Sequence, residues 1–155
     1  MQLDRRWIGA HIPHTGSMCL LDEVLSWDAT RIECRSSTHR ATDNPLRAHG
    51  RLGVACGIEY AAQAMAVHGA LVARLPSTPA AGYLAGLRGV VLHVVRLDDI
   101  ETDLVISGER VIGDEITVVY EFSVHNDRQA FLTGRATIVL DAAALAHSAR
   151  AKPAP

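Results

Sequence analysis

One carboxylate stands out in this sequence because of the residues around it. Glu59 falls near the start of the segment 57–74, an alanine-rich stretch without an internal proline that we predict to be a helix. An unpaired charge is costly in apolar surroundings, and the start of a helix favours a negative charge. A half-buried carboxylate at this place is suited to act as a general acid or base, although it could also simply cap the helix.

Histidine is the usual partner of such a carboxylate, and the chain has eight histidines. His39 and His49 lie in the polar segment shortly before the helix, and we select them as candidate catalytic bases. His14 lies farther upstream. An imidazole with a pKa of about 6.5 suits a base at neutral pH, while a solvated loop side chain is the alternative for each of them. His68 comes nine residues after Glu59, which places it on another side of the helix.

A cysteine and a glycine lie three and two residues before Glu59. Gly57 could let a substrate approach free backbone N–H groups, which can hold a carbonyl oxygen as negative charge develops on it. Cys56 could be a thiolate at a helix N-terminus or a small packing residue. We take both, together with Gln63 one turn after Glu59, as candidate substrate-binding residues. No serine lies in a nucleophile-elbow context and no His, Cys and Asp spacing indicates a metal, so we expect none.

The hydrophobic pattern predicts an α+β fold around these residues. The helical segment is small or apolar on every face and should therefore be covered on all sides. Strand-like alternation runs through six segments, which are 20–27, 30–37, 83–97, 104–112, 116–125 and 130–140. Turn pairs at 113–114 and 126–127 predict that the last three strands form an antiparallel meander. We expect a single domain over 1–140, with a curved antiparallel sheet wrapped around one long helix, and a frayed tail over 141–155.

The composition fits one globular domain and argues against several other classes. The chain has 155 residues, of which 48% are hydrophobic, and a net charge of −2. The balanced charge argues against a nucleic-acid partner, and no stretch is apolar for long enough to cross a membrane. The N-terminal residues lack the apolar core of a signal peptide, and three cysteines fit reduced thiols. We therefore expect a cytoplasmic protein.

Three segments resemble the bacterial β-hydroxyacyl-acyl carrier protein dehydratases. Residues 12–24 read IPHTGSMCLLDEV and are similar to the Pro-His…Leu-Leu-Val-Asp-Arg-Val opening of that family. NPLR at 44–47 and GIEYAAQ at 57–63 are similar to its Glu-Pro-Phe-Phe and Glu-Ala-Met-Ala-Gln motifs. The combination is closer still to the small dehydratase-like proteins of aryl polyene and xanthomonadin-type pigment clusters. The resemblance covers residues 8–140.

This resemblance implies a fold, a reaction and partners. The fold is the hotdog, a sheet curled round a long central helix. The reaction is dehydration of a (3R)-3-hydroxyacyl thioester to a trans-2-enoyl thioester, in fatty acid or aryl polyene-type biosynthesis, with a His as base and Glu59 as acid. The substrate would be carried on the phosphopantetheine of an acyl carrier protein, with no other cofactor. A homodimer or a heterodimer with another hotdog subunit is also implied, because in such enzymes the two catalytic residues come from different subunits.

The position of the histidine departs from the family pattern. The dehydratases carry His-Phe-Pro-Gly, with the His fourteen residues before the helix carboxylate. In this chain His49 and Gly50 lie in a similar loop, but His49 is only ten residues before Glu59. His39 is twenty residues before Glu59 and resembles the strand-end His of the pigment-cluster subgroup. Both histidines remain candidates for the base.

Two other functions stay open on the same fold. One is a thioesterase, in which Glu59 activates water to attack the thioester carbonyl. The other is a weakly active or non-catalytic partner subunit of a second dehydratase, because the loop that carries the expected His is short and small displacements are costly in rate. Arg47 and Arg51 flank the expected groove and are our candidates for docking the acidic carrier protein, with ordinary solvated arginines as the alternative.

Overall fold

The secondary-structure elements follow the predicted order. The computed structural model describes residues 2–73, 82–114 and 116–140. Its helices are α1 (Arg5–His11) and α2 (Gly57–Ala73), and short 3-10 turns lie at Gly16–Met18, Thr38–Arg40 and Val54–Cys56. Its strands are β1 (Glu23–Trp27), β2 (Arg31–Ser36), β3 (Gly82–Leu92), β4 (Leu104–Gly113), β5 (Thr117–His125) and β6 (Ala130–Leu140). The predicted frayed tail at 141–155 lies outside the described residues.

The six strands form one antiparallel sheet in the order β1-β2-β4-β5-β6-β3. The predicted meander of β4, β5 and β6 is confirmed. Asn126 closes the β5–β6 turn, because its side-chain oxygen accepts hydrogen bonds from the backbone N–H groups of Arg128 and Gln129. β3 ends earlier than predicted, since the chain beyond it leaves β6 and Arg96 bridges to Gly53 instead. That bridge ties the entrance of α2 to the sheet.

Helix α2 packs against the inner face of the sheet. Gly57 lies so close to β6 that a Cβ atom there would sit 2.8 Å from a Leu132 methyl group, so a larger residue would displace the Leu132 side chain. The prediction of one long helix against a curved antiparallel sheet is confirmed. The prediction that the helix is covered on every side is wrong. Ala62 and Ala66 are only partly buried and Gly69 is exposed, so one face of the helix stays open.

The loop between α1 and β1 is fixed by a buried polar network. The carbonyl oxygen of Leu20 accepts hydrogen bonds from Ser36 Oγ at 2.6 Å and from Thr38 Oγ1 at 2.8 Å. The hydroxyl of Tyr60 on α2 lies 2.9 Å from Thr38 Oγ1 and accepts a hydrogen bond from the Asn44 amide at 3.0 Å. These bonds hold the loop, the end of β2 and the helix in a fixed arrangement.

Strand β3 is the apolar edge of the sheet. Within the described part of the chain it pairs with β6 on one side and with no strand on the other. Large apolar side chains along it are exposed, namely Tyr83, Leu84, Leu87, Val91 and Leu92. A long apolar edge of this kind is a template for another strand.

Candidate functional site

Glu59 lies beside a histidine, and that histidine is His14. The Nε2 atom of His14 is 2.8 Å from Glu59 Oε1, within one chain, and the two side chains are 27% and 33% exposed. Glu59 is therefore half-buried, as its position in an apolar helix predicted. The other ring nitrogen of His14 is buried and has no hydrogen-bond partner among the described residues. A carboxylate and an imidazole in direct contact can exchange a proton with each other and with a bound substrate.

Gln63 is the third member of the cluster. Its side-chain nitrogen lies 3.2 Å from Glu59 Oε1, the same oxygen that faces His14. Two N–H groups can thus point at Oε1, while Oε2 makes no hydrogen bond with any described residue. Oε2 is the carboxylate oxygen left for a substrate.

The pair lies at an apolar cavity of about 410 Å³ between α2 and the sheet. Pro13, His14 and Glu59 line it, and so does the open face of the helix. Small helix residues line it beside two larger ones, and larger residues line the sheet side. The small ones include Ala62, Ala66, Gly69 and Ala70, the larger helix residues are Met65 and Val72, and the sheet side includes Val118, Tyr120 and Ile138. The stretch of helix from residue 59 to residue 73 is about 21 Å long. The cavity can hold an extended apolar chain with its reactive end beside Glu59.

A larger groove of about 830 Å³ lies on the outer face of the sheet. It is wide open and lined by charged side chains that pair with each other. Arg31 meets Glu109 at 3.1 Å and Arg135 meets Glu121 at 2.6 Å across neighbouring strands. This is a solvated sheet face, and we place the functional site at the smaller apolar cavity.

The structure places His39 in the core, away from the cavity lining. Its side chain is fully buried and its Nε2 lies 2.9 Å from the backbone carbonyl of Ile100. That carbonyl is an acceptor, so Nε2 carries the hydrogen and the ring is held in one tautomer. Burial lowers the pKa of His39. His39 makes no contact with Glu59, although both were predicted to act together.

His49 is also apart from Glu59, because it forms a tight turn. The backbones of Ala48 and Arg51 bridge each other, and the two residues between them both have positive φ, 53° at His49 and 72° at Gly50. This is the geometry of a two-residue hairpin turn. The side chain of His49 points to solvent and makes no hydrogen bond with the described residues. The His-Gly pair that resembles a catalytic loop is used here as a turn.

The predicted substrate-binding residues at the helix entrance are occupied by internal contacts. The backbone N–H of Gly57 donates to the carbonyl of Val54, and strand β6 packs against the Cα atom of this glycine. The thiol of Cys56 lies 3.8 Å from the carbonyl of Leu46, and burial raises the pKa of that thiol. The geometry matches the packing alternative for Cys56. In both residues the groups that we expected to face a substrate face the protein.

The two predicted docking arginines differ in their surroundings. The Arg47 guanidinium donates to the carbonyls of Gly50 and His39, and its Nε is buried. Arg51 is exposed. Only Arg51 presents its charge to solvent.

The comparisons with known proteins show a family for this chain. The model of the ApeP-like family, described as ApeP dehydratase, matches residues 7–147. The chain belongs to the ApeP-like family. The matched region contains both His14 and Glu59. No curated protein sequence matches the chain.

Solved structures similar to this ApeP-like chain share its fold. The dehydratase heterocomplex ApeI:P from Xenorhabdus doucetiae has a TM-score of 0.75 at 21% identity and covers 94% of this chain and 97% of its own. Zebrafish thioesterase superfamily member 2 has a TM-score of 0.63 at 15% identity and covers 88% and 92%. A hypothetical thioesterase with coenzyme A from Streptococcus pneumoniae TIGR4 has a TM-score of 0.56 at 14% identity and covers 76% and 84%. The predicted hotdog fold is confirmed.

The residue that sequence reasoning did not select is His14. It is 45 residues before Glu59, so spacing alone does not connect the two. The available signal was the Pro-His pair in the first resembling segment. Within the described ranges, no helix of this ApeP-like protein combines the length and apolarity that a bilayer crossing requires.

Proposed function

We propose that this protein dehydrates a (3R)-3-hydroxyacyl thioester carried on an acyl carrier protein in the cytoplasm. The observation that carries the proposal is the contact of His14 with Glu59 at one end of an apolar cavity. Membership of the ApeP-like family supports the reaction class. The proposal replaces His39 and His49 by His14, because His14 is the one that touches the carboxylate. It also makes Glu59, which was expected to be the acid, the group that takes the proton from carbon.

The reaction needs one proton removed and one returned. Glu59 Oε2 takes a proton from the carbon next to the thioester carbonyl, and the electron pair of that C–H bond forms the new C=C bond. The C–O bond of the 3-hydroxyl group then breaks, and the hydroxyl leaves as water with a proton from the His14–Glu59 pair. The pair thus ends with the proton count at which it began. His14 Nε2 faces the other oxygen, Oε1, so a proton can pass within the pair between the two steps.

The apolar cavity supports an acyl substrate. Alanines and a glycine form much of its helix side, which leaves room for a chain beside α2. Phosphopantetheine is a long flexible arm that would bring the thioester to Glu59 while the carrier protein stays outside. Arg51 is the exposed positive charge that we assign to carrier docking, because carrier proteins are acidic.

Hydrolysis of the thioester is the second candidate. The free Oε2 of Glu59 could activate a water molecule instead of taking a proton from carbon. Two of the similar folds described above are thioesterases. Release of a free thiol without formation of the conjugated enoyl product would identify this reaction.

A second hotdog subunit is the partner that we propose for the β3 edge. The edge exposes unpaired backbone and a row of apolar side chains, and the similar structure from Xenorhabdus doucetiae is a dehydratase heterocomplex. The His14–Glu59 pair is complete within one chain. The partner would therefore cover the edge and the open helix face without supplying either member of this pair.

The reaction is tested with a soluble 3-hydroxyacyl thioester and the purified protein, alone and mixed with a second hotdog dehydratase subunit. We expect an absorbance gain from the enoyl thioester, and we expect Glu59→Gln to reduce the rate at least about 100-fold. Glu33→Gln, which changes a carboxylate on the outer sheet face, is the matched control and should leave the rate unchanged. Full activity of the Glu59→Gln variant would remove Glu59 from the mechanism. Turnover that appears only in the mixture would instead assign this chain the role of partner subunit.

The interface is tested by charging the β3 edge. Val91 is 48% exposed on β3, so Val91→Lys should abolish association with the second subunit while the isolated chain stays folded. Val111→Lys places the same charge at an exposed apolar position of β4 and should leave association intact. Association measured by size-exclusion chromatography with light scattering that survives Val91→Lys would exclude β3 as the interface.

A further inference from the structure

The amide of Gln63 connects the two halves of the candidate site. Gln63 is fully buried on α2. Its oxygen accepts the backbone N–H of Leu20 at 2.9 Å, and its nitrogen donates to the Met18 carbonyl at 2.7 Å and to Glu59 Oε1 at 3.2 Å. A glutamine amide has two N–H donors, so both are used and neither is left for a substrate.

The orientation of this amide is fixed by its partners. Leu20 offers an N–H group, which must face the amide oxygen. Met18 offers a carbonyl and Glu59 a carboxylate oxygen, which must face the nitrogen. In a flipped amide the oxygen would face the oxygens of Met18 and Glu59, and the N–H groups would face the N–H of Leu20. No other neutral side chain of this length supplies one acceptor and two donors in that arrangement.

The partners of Gln63 belong to the two segments that carry the acid–base pair. Glu59 lies one turn before Gln63 on α2, and Met18 ends the short turn that follows His14. We propose that Gln63 is a positioning residue, which holds the Glu59 carboxylate and the His14 loop at the separation that proton transfer requires. The proposal rests on the function proposed above, and it differs from the prediction that Gln63 binds substrate.

The size of the rate loss expected on replacing Gln63 follows from how steeply the rate depends on the geometry of the catalytic groups. A displacement of about 1 Å in a catalytic group can cost on the order of 100-fold in rate. Without Gln63, the Glu59 side chain is held by His14 alone, and the His14 loop loses two of the bonds that fix it to the helix. The cavity lining does not change, because Gln63 does not line the cavity. The loss should therefore appear in kcat rather than in KM.

The test compares Gln63→Met and Gln63→Glu with Ser36→Ala. Methionine fills the space of glutamine without hydrogen bonds, and glutamate keeps the acceptor for Leu20 but has no donor while it is ionised. Ser36→Ala removes a bond to the Leu20 carbonyl and so loosens the same loop without touching Glu59. We expect kcat to fall about 10- to 100-fold in Gln63→Met, with KM changed by less than about threefold. Ser36→Ala should keep kcat within about threefold of the parent.

The pH dependence separates positioning from a merely structural role. In Gln63→Glu a protonated side chain regains one O–H donor, so its rate should recover relative to the parent as the pH falls. Gln63→Glu also tests the proposal if Gln63→Met does not fold. Equal losses of kcat in Ser36→Ala and Gln63→Met, or a Gln63→Glu profile parallel to that of the parent, would overturn the proposal.

A crystal structure of the Gln63→Met variant tests the inference without any activity. We expect His14 Nε2 and Glu59 Oε1 to lie beyond hydrogen-bond distance there. An unchanged separation of 2.8 Å would overturn the positioning role even if dehydration is observed. If the parent protein shows no dehydration, the structural result still decides the role of Gln63, so the two proposals fail separately.

Discussion

His14 and His39 show how the same type of side chain serves two different purposes in this fold. In each, Nε2 meets an oxygen and Nδ1 is buried without a partner among the described residues. The oxygen beside His39 is a backbone carbonyl in the core, which can only accept. The oxygen beside His14 belongs to Glu59, a group that can gain or lose a proton at the edge of a cavity.

The difference shows that burial and partner, rather than position in the sequence, separate a reactive histidine from a structural one. The His39 ring is fully buried, and its pKa is lowered by burial, so it remains neutral at the pH of the cell. The His14 ring is 27% exposed and lines the cavity.

The largest effect is expected from exchanging each histidine for glutamine. His14→Gln should reduce kcat about 100- to 10,000-fold, since it removes a group that exchanges protons with Glu59. His39→Gln should change kcat by less than about threefold, because an amide N–H can still donate to the Ile100 carbonyl. Steady-state kinetics with the same thioester measure both variants. The reverse ranking would return the catalytic role to His39.

The next effect concerns stability. His39→Leu leaves the buried Ile100 carbonyl without its side-chain donor, and we expect the free energy of unfolding to fall by about 1–3 kcal/mol. His14→Leu removes a contact at the partly exposed site and should cost less. Urea unfolding followed by circular dichroism gives both values. A larger loss from His14→Leu would mean that His14 is the structural residue.

A smaller effect is the pH dependence of stability. Burial lowers the pKa values of His39 and His68 in the folded chain, whereas in the unfolded chain they stay near 6.5. Below about pH 6.5 the unfolded state binds more protons, so the free energy of unfolding should decrease as the pH falls from 7 to 5.

The control for this pH effect is His39→Gln, which removes one of the two titrating rings. Its free energy of unfolding should change less between pH 7 and pH 5 than that of the parent. Urea titrations at the two pH values measure the difference. An identical pH dependence in the two proteins would show that His39 is not protonated preferentially in the unfolded state.

The smallest effect is expected at the two arginines that were predicted to dock the carrier protein. Arg51→Glu should weaken binding of the carrier protein severalfold without a change in melting temperature, because Arg51 is exposed. Arg47→Glu should lower the melting temperature, since Arg47 holds the carbonyls of Gly50 and His39. Calorimetric titration and thermal melts distinguish the two. Unchanged carrier binding in Arg51→Glu would place docking elsewhere.

Much of the fold could be predicted from local patterns. Alternating apolar residues indicated β4, β5 and β6, and their turns follow from Asp114 and Asn126, whose side chains bond to nearby backbone N–H groups. Gly57 shows the limit of such reasoning. Its place before a helix suggested an approach for substrate, but the reason for glycine is Leu132, which is distant in sequence.

The candidate site likewise has one residue that local sequence identifies and one that it does not. Glu59 could be found because a carboxylate in an apolar helix is conspicuous from local sequence. Its partner could not be found in this way, because the contact with His14 depends on a loop that Gln63 holds against the helix. His49 was misleading for a related reason, since a His-Gly pair serves a hairpin turn as well as a catalytic loop.

The order of strands has a consequence for how the chain reaches its folded state. β3 is synthesised well before β6, yet β6 is the strand with which it pairs. β2 likewise cannot pair with β4 until β4 has been synthesised, and α2 lies between the two strands in the sequence. Closing such long loops is entropically costly and slows folding. During translation the apolar β3 therefore stays unpaired until β6 has left the ribosome, and in that interval its exposed apolar side chains favour aggregation.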